Sequence, residues 1–423
     1  MSAGQFRDRI HALSVDIERQ KEVLKQLETD KTLAQRQLNA ILDPMARLPL
    51  EISSEIFVQC LPPVPEPGIT LIPMLLLNVC NSWSHIALST PALWASIHVQ
   101  FPRPEGFDNG LENWLQRAGS HPLSISLHGS FDGDVAAVVR EHAERLKSLE
   151  IFHGHQGEYI IDDPLRGVGP GPFPSLTSLT IGTFIHQDGD DVDYAFFDPN
   201  SIFGIFNLAP NLAECTLADV FPASEPALNP RAQLALPNLR RLRFRRRPAN
   251  LESDDEILRY LTLPGLQTLF LLMSDVRGDD LISFLKRSLP PLRDLTLRCH
   301  DSDFSLLEQC LRLLPTLTHL ELYGPGVHLV QGLFTVLADS PSSLLPHLQS
   351  LSIPNCWDHI PQSTWVELRR ALSVRRTHFA CVEITIRYTS SGPNAENCAA
   401  FRHLVDEGMK ISIGDGEHNL IPI

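Results

Sequence analysis

Between Leu146 and Ile384 one short apolar pattern, L-x-x-L-x-L with Ile, Val, Phe or Cys allowed, returns nine times. Copies open at Leu146, Leu176, Leu212, Leu239, Leu266, Leu292, Leu317, Leu348 and Phe379, with consecutive starts 25 to 36 residues apart. The last two apolar positions of each copy alternate with other residues, as a strand does when one face is buried. The residues between copies leave room for a helix. Leu281, Ile282, Phe284, Leu285 and Leu289 supply a helical apolar face in one interval. Ser253-x-x-Glu256 and Thr364-x-x-Glu367 have the form of capping boxes in two others. Seven copies carry proline two residues before the first Leu: Pro174, Pro210, Pro237, Pro264, Pro290, Pro315 and Pro346. Proline lacks an N–H and disfavours helix in the residue before it, so it ends one helix and admits the next strand. Strand and helix alternating at a near-fixed period read as a solenoid; the alternative architecture is an ordinary α/β domain.

Composition narrows the partners. The chain has 423 residues and a net charge of −15. That length exceeds one ordinary core, and that charge offers no general footprint for nucleic acid. Eight cysteines form no CxxC pair and read as small buried apolar residues. MSAGQFRDRIHALS has no long apolar core and is not expected to be a leader. The most apolar run, Leu71 to Cys80, is short of the roughly 20 residues of a membrane span. The expected location is cytoplasmic or nuclear.

Residues 5–43 carry heptads. Position a falls on Ile10, Ile17, Leu24, Lys31 and Leu38, and position d on Leu13, Gln20, Leu27, Ala34 and Ile41. This is a short coiled-coil pattern, stopped by Asp43-Pro44. Two readings stay open: a helix folded back on its own protein, or self-association.

Residues 44–98 hold two further apolar helices separated by PPVPEPG, Pro62 to Gly68. The first presents Ile52, Ile56 and Cys60 on one stripe with Phe57 beside it. The second carries Leu75, Leu76, Val79, Trp83, Ile86 and Ala87. The spaced positions Leu48-Pro49-x-Glu51-Ile52-x-x-x-Ile56-Phe57, Val79-Cys80-x-x-Trp83-x-x-x-Ala87 and Thr90-Pro91-x-Leu93-Trp94 resemble an F-box. The ALSTPALW ending is most similar to the F-box proteins of mushroom-forming fungi. Ser82 stands where the family usually has a basic residue. The resemblance implies a helix trio that binds the Skp-type adaptor of a cullin–RING ubiquitin ligase. It implies adaptor contact at Leu48, Pro49, Ile52, Ile56 and Phe57, with Val79 and Trp83 holding the trio together.

Residues 99–423 resemble leucine-rich repeats of irregular spacing. The expected fold is therefore α/β: an N-terminal coiled-coil helix, a helical F-box, and a strand–helix solenoid of leucine-rich-repeat type.

Catalytic motifs are missing: there is no GxSxG, GxxxxGK[ST] or HExxH. The glycines of 167–171 alternate with Val and Pro and lead into a strand, so they read as loop. His153 and His155 have no third ligand at metal spacing. Asp188, Asp190, Asp191 and Asp193 break the order of a calcium loop. No catalytic residue, metal or cofactor is expected. LRRLRFRRR, Leu239 to Arg247, is the exception to a featureless charge pattern. Strand alternation puts Arg241, Arg243 and Arg245 on the face opposite Leu242 and Phe244. They form either a patch for an acidic or phosphorylated ligand or a ladder neutralised by Glu252, Asp254 and Asp255. The function expected is the substrate-recognition subunit of an SCF-type ligase, with the repeats holding a target protein. The alternative is an interaction scaffold acting outside a ligase.

Overall fold

The computed structural model describes residues 3–63, 65–68, 71–103, 107–131, 133–154, 160–161, 172–184, 196–197, 199–218, 221–222, 234–245, 255–271, 278–299, 304–340, 344–356, 359–386, 392–415 and 417–421. They form two compact units, residues 1–99 with 105–125, and residues 100–104 with 126–423. The segments expected at 5–43 and 44–98 both fall in the first.

The first unit opens with α1 (Ala3–Leu42), a helix of 40 residues. Asp43 ends it. Its carboxylate accepts from Met45 N at 2.9 Å and from Trp83 Nε1 at 2.7 Å, which ties the helix terminus to the trio behind it. Next come α2 (Leu50–Gln59), α3 (Leu76–Val79) and α4 (Asn81–Leu88). The single helix expected over Leu75–Ala87 is thus two. Cys80 is extended between them, and the Ser84 hydroxyl donates at 2.6 Å to the Leu77 carbonyl that a continuing helix would have used. The TPALW ending is structural. Trp94 Nε1 donates to the Ala87 carbonyl at 2.9 Å, and its ring meets Trp114 edge-on with centroids 5.0 Å apart. Arg117 lies 4.6 Å over the same ring, a cation–π contact.

The second unit is a solenoid of alternating strand and helix. Ten strands follow one another in a parallel ladder: Leu146–Gly154, Ser178–Phe184, Glu214–Ala218, Arg241–Arg245, Thr268–Leu271, Asp294–Arg298, His319–Tyr323, Ser350–Cys356, Cys381–Ile386 and Lys410–Gly414. The register lines up the middle position of every copy: Leu149, Leu179, Cys215, Leu242, Leu269, Leu295, Leu320, Leu351 and Val382 are successive partners. All are buried, as are the first and last positions of each copy. Helices such as Gly278–Ser288, Phe304–Arg312, Val327–Asp339 and Gln362–Val374 return the chain between strands. The fold is mixed α/β with a long N-terminal helix and a repeat solenoid of leucine-rich-repeat type.

Three local expectations change. Six of the seven prolines occupy the second position of a tight turn, because the N–H two residues after the proline bonds the carbonyl just before it, as Leu212 N does to Ala209 O at 3.1 Å. Their fixed φ starts a turn as well as ending a helix. Thr364 is no cap: its helix begins at Gln362 with Pro361 before it, and Thr364 is buried inside the first turn. Finally, the Lys410–Gly414 strand extends the ladder beyond the ninth copy.

Candidate docking surfaces

The first surface lies on α2. Leu48 and Pro49 enter the helix, and the backbone N–H groups of Ile52 and Ser53 both bond the Pro49 carbonyl at 3.1 Å. Proline before the first turn leaves no orphan N–H there. One face of α2 carries Ser53 and Phe57, both buried; the Phe57 ring meets that of Trp83 at a tilt, with centroids 5.0 Å apart. The neighbouring face carries Leu48, Ile52 and Ile56, which are 40%, 50% and 39% exposed, whereas Phe57 is 2% exposed. Phe57 therefore leaves the set of residues available to a partner. It stands a quarter-turn inward of Ile56 and belongs to the trio's own core. Val79 and Trp83 are half-buried between the helices.

Leu50, Leu71, Leu75 and Leu88 are exposed on the same unit. All but three of the exposed large apolar residues among those described precede residue 89. Apolar exposure on that scale in one region marks an interaction surface.

The second surface is the strand face that points away from the buried Leu positions. Arg241 and Arg243 are exposed on it, while Leu242 and Phe244 are buried. The side chain of Arg245 lies outside the described residues, as do Arg246, Arg247, Glu252, Asp254 and the Asp255 side chain. Arg241 Nη1 is 2.8 Å from Glu214 Oε1, its register partner on the preceding strand. That pair was not among the compensating acids expected from sequence, because register across 27 positions is invisible there. Arg243 stands between Thr216 and Phe270 on the flanking strands and forms no ion pair among the described residues. Two strands on, Asp294 Oδ1 meets His319 Nδ1 at 2.9 Å.

Sequence reading missed two arginines, Arg375 buried and Arg287 half-buried, that bond main-chain carbonyls. Arg375 is 4% exposed, and its guanidinium donates to four main-chain carbonyls: Leu337 at 2.9 Å, Leu345 at 2.9 Å, Ser340 at 3.0 Å and Leu344 at 2.6 Å. Arg287 does the same to Leu258 and Leu261. Burial lowers the pKa of both. These arginines close the C-terminal ends of helices onto the preceding repeat and are structural. No sequence spacing announced them.

The other motifs do not assemble a site. His153 is buried and stacks on Phe131 at 5.3 Å; His155, Gly167–Gly171 and the aspartates at 188–193 lie outside the described residues. Among the described residues no three His, Cys, Asp or Glu side chains converge as metal ligands. No helix among them is long and apolar enough to cross a membrane.

The chain matches no protein-family model and no curated protein. Among solved structures, the complex of Rad7 and Elc1 in yeast aligns over 97% of this chain and 98% of that chain, at 13% identity and a TM-score of 0.36. That likeness is too slight to identify a function.

Proposed function

We propose that this chain is the substrate-recognition subunit of a Skp–cullin–F-box ubiquitin ligase. The first unit docks the Skp-type adaptor, and through it a cullin; the second unit holds a target protein. One observation carries the reading: the F-box-like positions divide into a buried set that builds the trio and an exposed apolar set, Leu48, Ile52 and Ile56, on one face. A docking motif needs that division, since the trio must fold before its partner arrives and still hold apolar area in reserve. Covering each large apolar side chain contributes about 1.5–3 kcal/mol. The mechanism is proximity: the receptor raises the target's effective concentration beside a charged conjugating enzyme. No residue here forms a bond with ubiquitin.

The test is affinity capture of the intact chain with the adaptor and a cullin as readouts. Recovery of both is the expected result, lost in Leu48→Ala/Pro49→Ala. Adaptor without cullin supports a scaffold outside the ligase. Absence of the adaptor removes the F-box reading.

A further inference from the structure

From Asp8 to Gln35 every side chain of α1 is exposed. Among the described residues the helix packs on its own unit near its C-terminal end, on α3 and α4. There Arg36 donates to the Leu77 carbonyl at 2.9 Å and to Ser84 Oγ at 3.1 Å, and Asn39 donates to the Val79 carbonyl at 2.9 Å. Arg36 and Asn39 occupy heptad positions f and b, the back of the coiled-coil pattern. The helix is therefore anchored by its polar back, and its a/d stripe turns away from the trio. Leu38 and Ile41 remain 49% and 82% exposed beside that anchor. This excludes, for the first unit, a helix folded back on its own trio through the apolar seam. Helices of this kind draw most of their stability from a packed apolar face, and this face has no cover.

We infer that a second copy of the chain covers it, with α1 paired antiparallel to α1 of the other copy. The polar seam positions decide the orientation. A parallel, in-register pair would place Lys31 against Lys31 inside the seam, two like charges in contact. The antiparallel register sets Gln20 opposite Lys31 of the second copy, which gives the ammonium a neutral oxygen to bond. The same register sets Ile10 opposite Ile41 and Leu13 opposite Leu38, so apolar residues meet apolar residues. The flanking e positions agree: Lys21 lies beside Glu28 of the second copy, and by symmetry the pair occurs twice. Lys21 has only an exposed partner, Glu18 at 2.8 Å, in the single chain, so it exchanges one solvated acid for another at the seam. The seam from Ile10 to Ile41 is about 47 Å long, and the antiparallel pairing places the two anchoring trios at opposite ends of it.

The experiment is the mass of the full chain in solution, by sedimentation, for four proteins: wild type, Lys21→Glu, Glu28→Lys and the double swap. Wild type is expected to be a dimer at micromolar concentration. Each single swap turns two attractive pairs into two repulsive ones and is expected to weaken the dimer about tenfold or more. The double swap restores both pairs and the dimer. In a parallel dimer the carboxylate introduced by Lys21→Glu would face Asp16 of the second copy, and Glu28→Lys would not rescue it, so restoration reports orientation. A monomeric wild type overturns the inference. So does a dimer that ignores Lys21→Glu, or one that the double swap fails to restore.

Discussion

The ring centroids of Phe57 and Trp83 lie 5.0 Å apart inside the helical trio, one residue along the chain from Ile56, which stands in water. Adjacent residues of one motif thus have opposite duties. Phe57→Ala is expected to destabilise the first unit by about 3–5 kcal/mol, the usual range for removing a buried phenylalanine. Ile52→Asp with Ile56→Asp is expected to leave its melting unchanged and abolish adaptor capture. Melting and capture measured on the same preparations separate the two. Full capture by the Ile52/Ile56 variant would remove α2 as the docking helix.

Leu269 is wholly buried, with Leu242 and Leu295 as its register partners. Leu269→Asp puts an unpaired charge in that column and is expected to cost several kcal/mol. Repeats contact mainly their neighbours, so limited proteolysis should cut first around the Arg241–Arg245 and Asp294–Arg298 strands. Cleavage that begins at the last strands instead would show that the solenoid unfolds as one body.

The ladder was legible because burial on one strand face leaves an alternation, and repetition lets one copy vouch for the next. Lys410–Gly414 escaped because Gly408 and Met409 replace the leading Leu of a copy, although Ile411 pairs with Val382 in full register. Ser96–Gln100 and Leu123–His128, strands before the first copy, lack the leading leucine and proline for the same reason. The F-box-like positions were legible as a set. Their division into core and surface was not, since Ile52, Ile56 and Phe57 differ by a helical rotation that letters alone do not fix. Turn asparagines were overlooked as well. Asn211 and Asn238 donate to the carbonyls of Pro174 and Pro210, so the residue after each proline tethers its turn to the previous one.

Arg375 shows what a lone cation can hide. Removing its guanidinium strands the carbonyls of Leu337 and Leu344 and leaves those of Ser340 and Leu345 with only their turn bonds from Leu344 N and Leu348 N. Arg375→Leu is expected to lower stability by about 3–5 kcal/mol. Arg375→Lys should recover only a fraction, because one ammonium cannot span four carbonyls. Chemical denaturation of the three proteins checks the order. Equal stability of wild type and Arg375→Leu would mean that water replaces the staple.

Cys215 and Cys310 are buried, and burial pushes both thiols up to about 12. An unfolded thiol titrates near 8.5. The folded pKa is the higher one, so this contribution to stability is complete below about pH 8.5 and is lost as pH rises toward the folded value, by at most about 1.4 kcal/mol per pH unit for each thiol. Cys215→Ala should flatten that alkaline decline. Alkylation at pH 8 should label the exposed Cys60 in the native protein and reach Cys215 only after unfolding. Rapid native labelling of Cys215 would mean that the ladder opens at that strand.

Arg241 and Arg243 lie on one strand face, yet among the described residues only Arg241 has an acid partner, Glu214 at 2.8 Å. Both members of that pair are half-exposed, so it is worth no more than about 1 kcal/mol. Arg241→Glu sets two carboxylates opposite each other and is expected to cost stability on that scale. Arg243 has Thr216 and Phe270 as register neighbours, neither of them charged. Nothing among the described residues compensates it, so Arg243→Glu should leave the melting temperature where it is. If an acidic or phosphorylated target sits on this face, the same substitution lowers target capture and spares adaptor binding. Capture by the wild type should then fall as salt rises, since an exposed charge is screened over about 8–10 Å near physiological ionic strength. Quantitative mass spectrometry of captured proteins, wild type against Arg243→Glu, is the measurement. An unchanged set of partners, together with an unchanged melting temperature, would leave Arg243 an ordinary solvated cation and move the target site elsewhere on the solenoid.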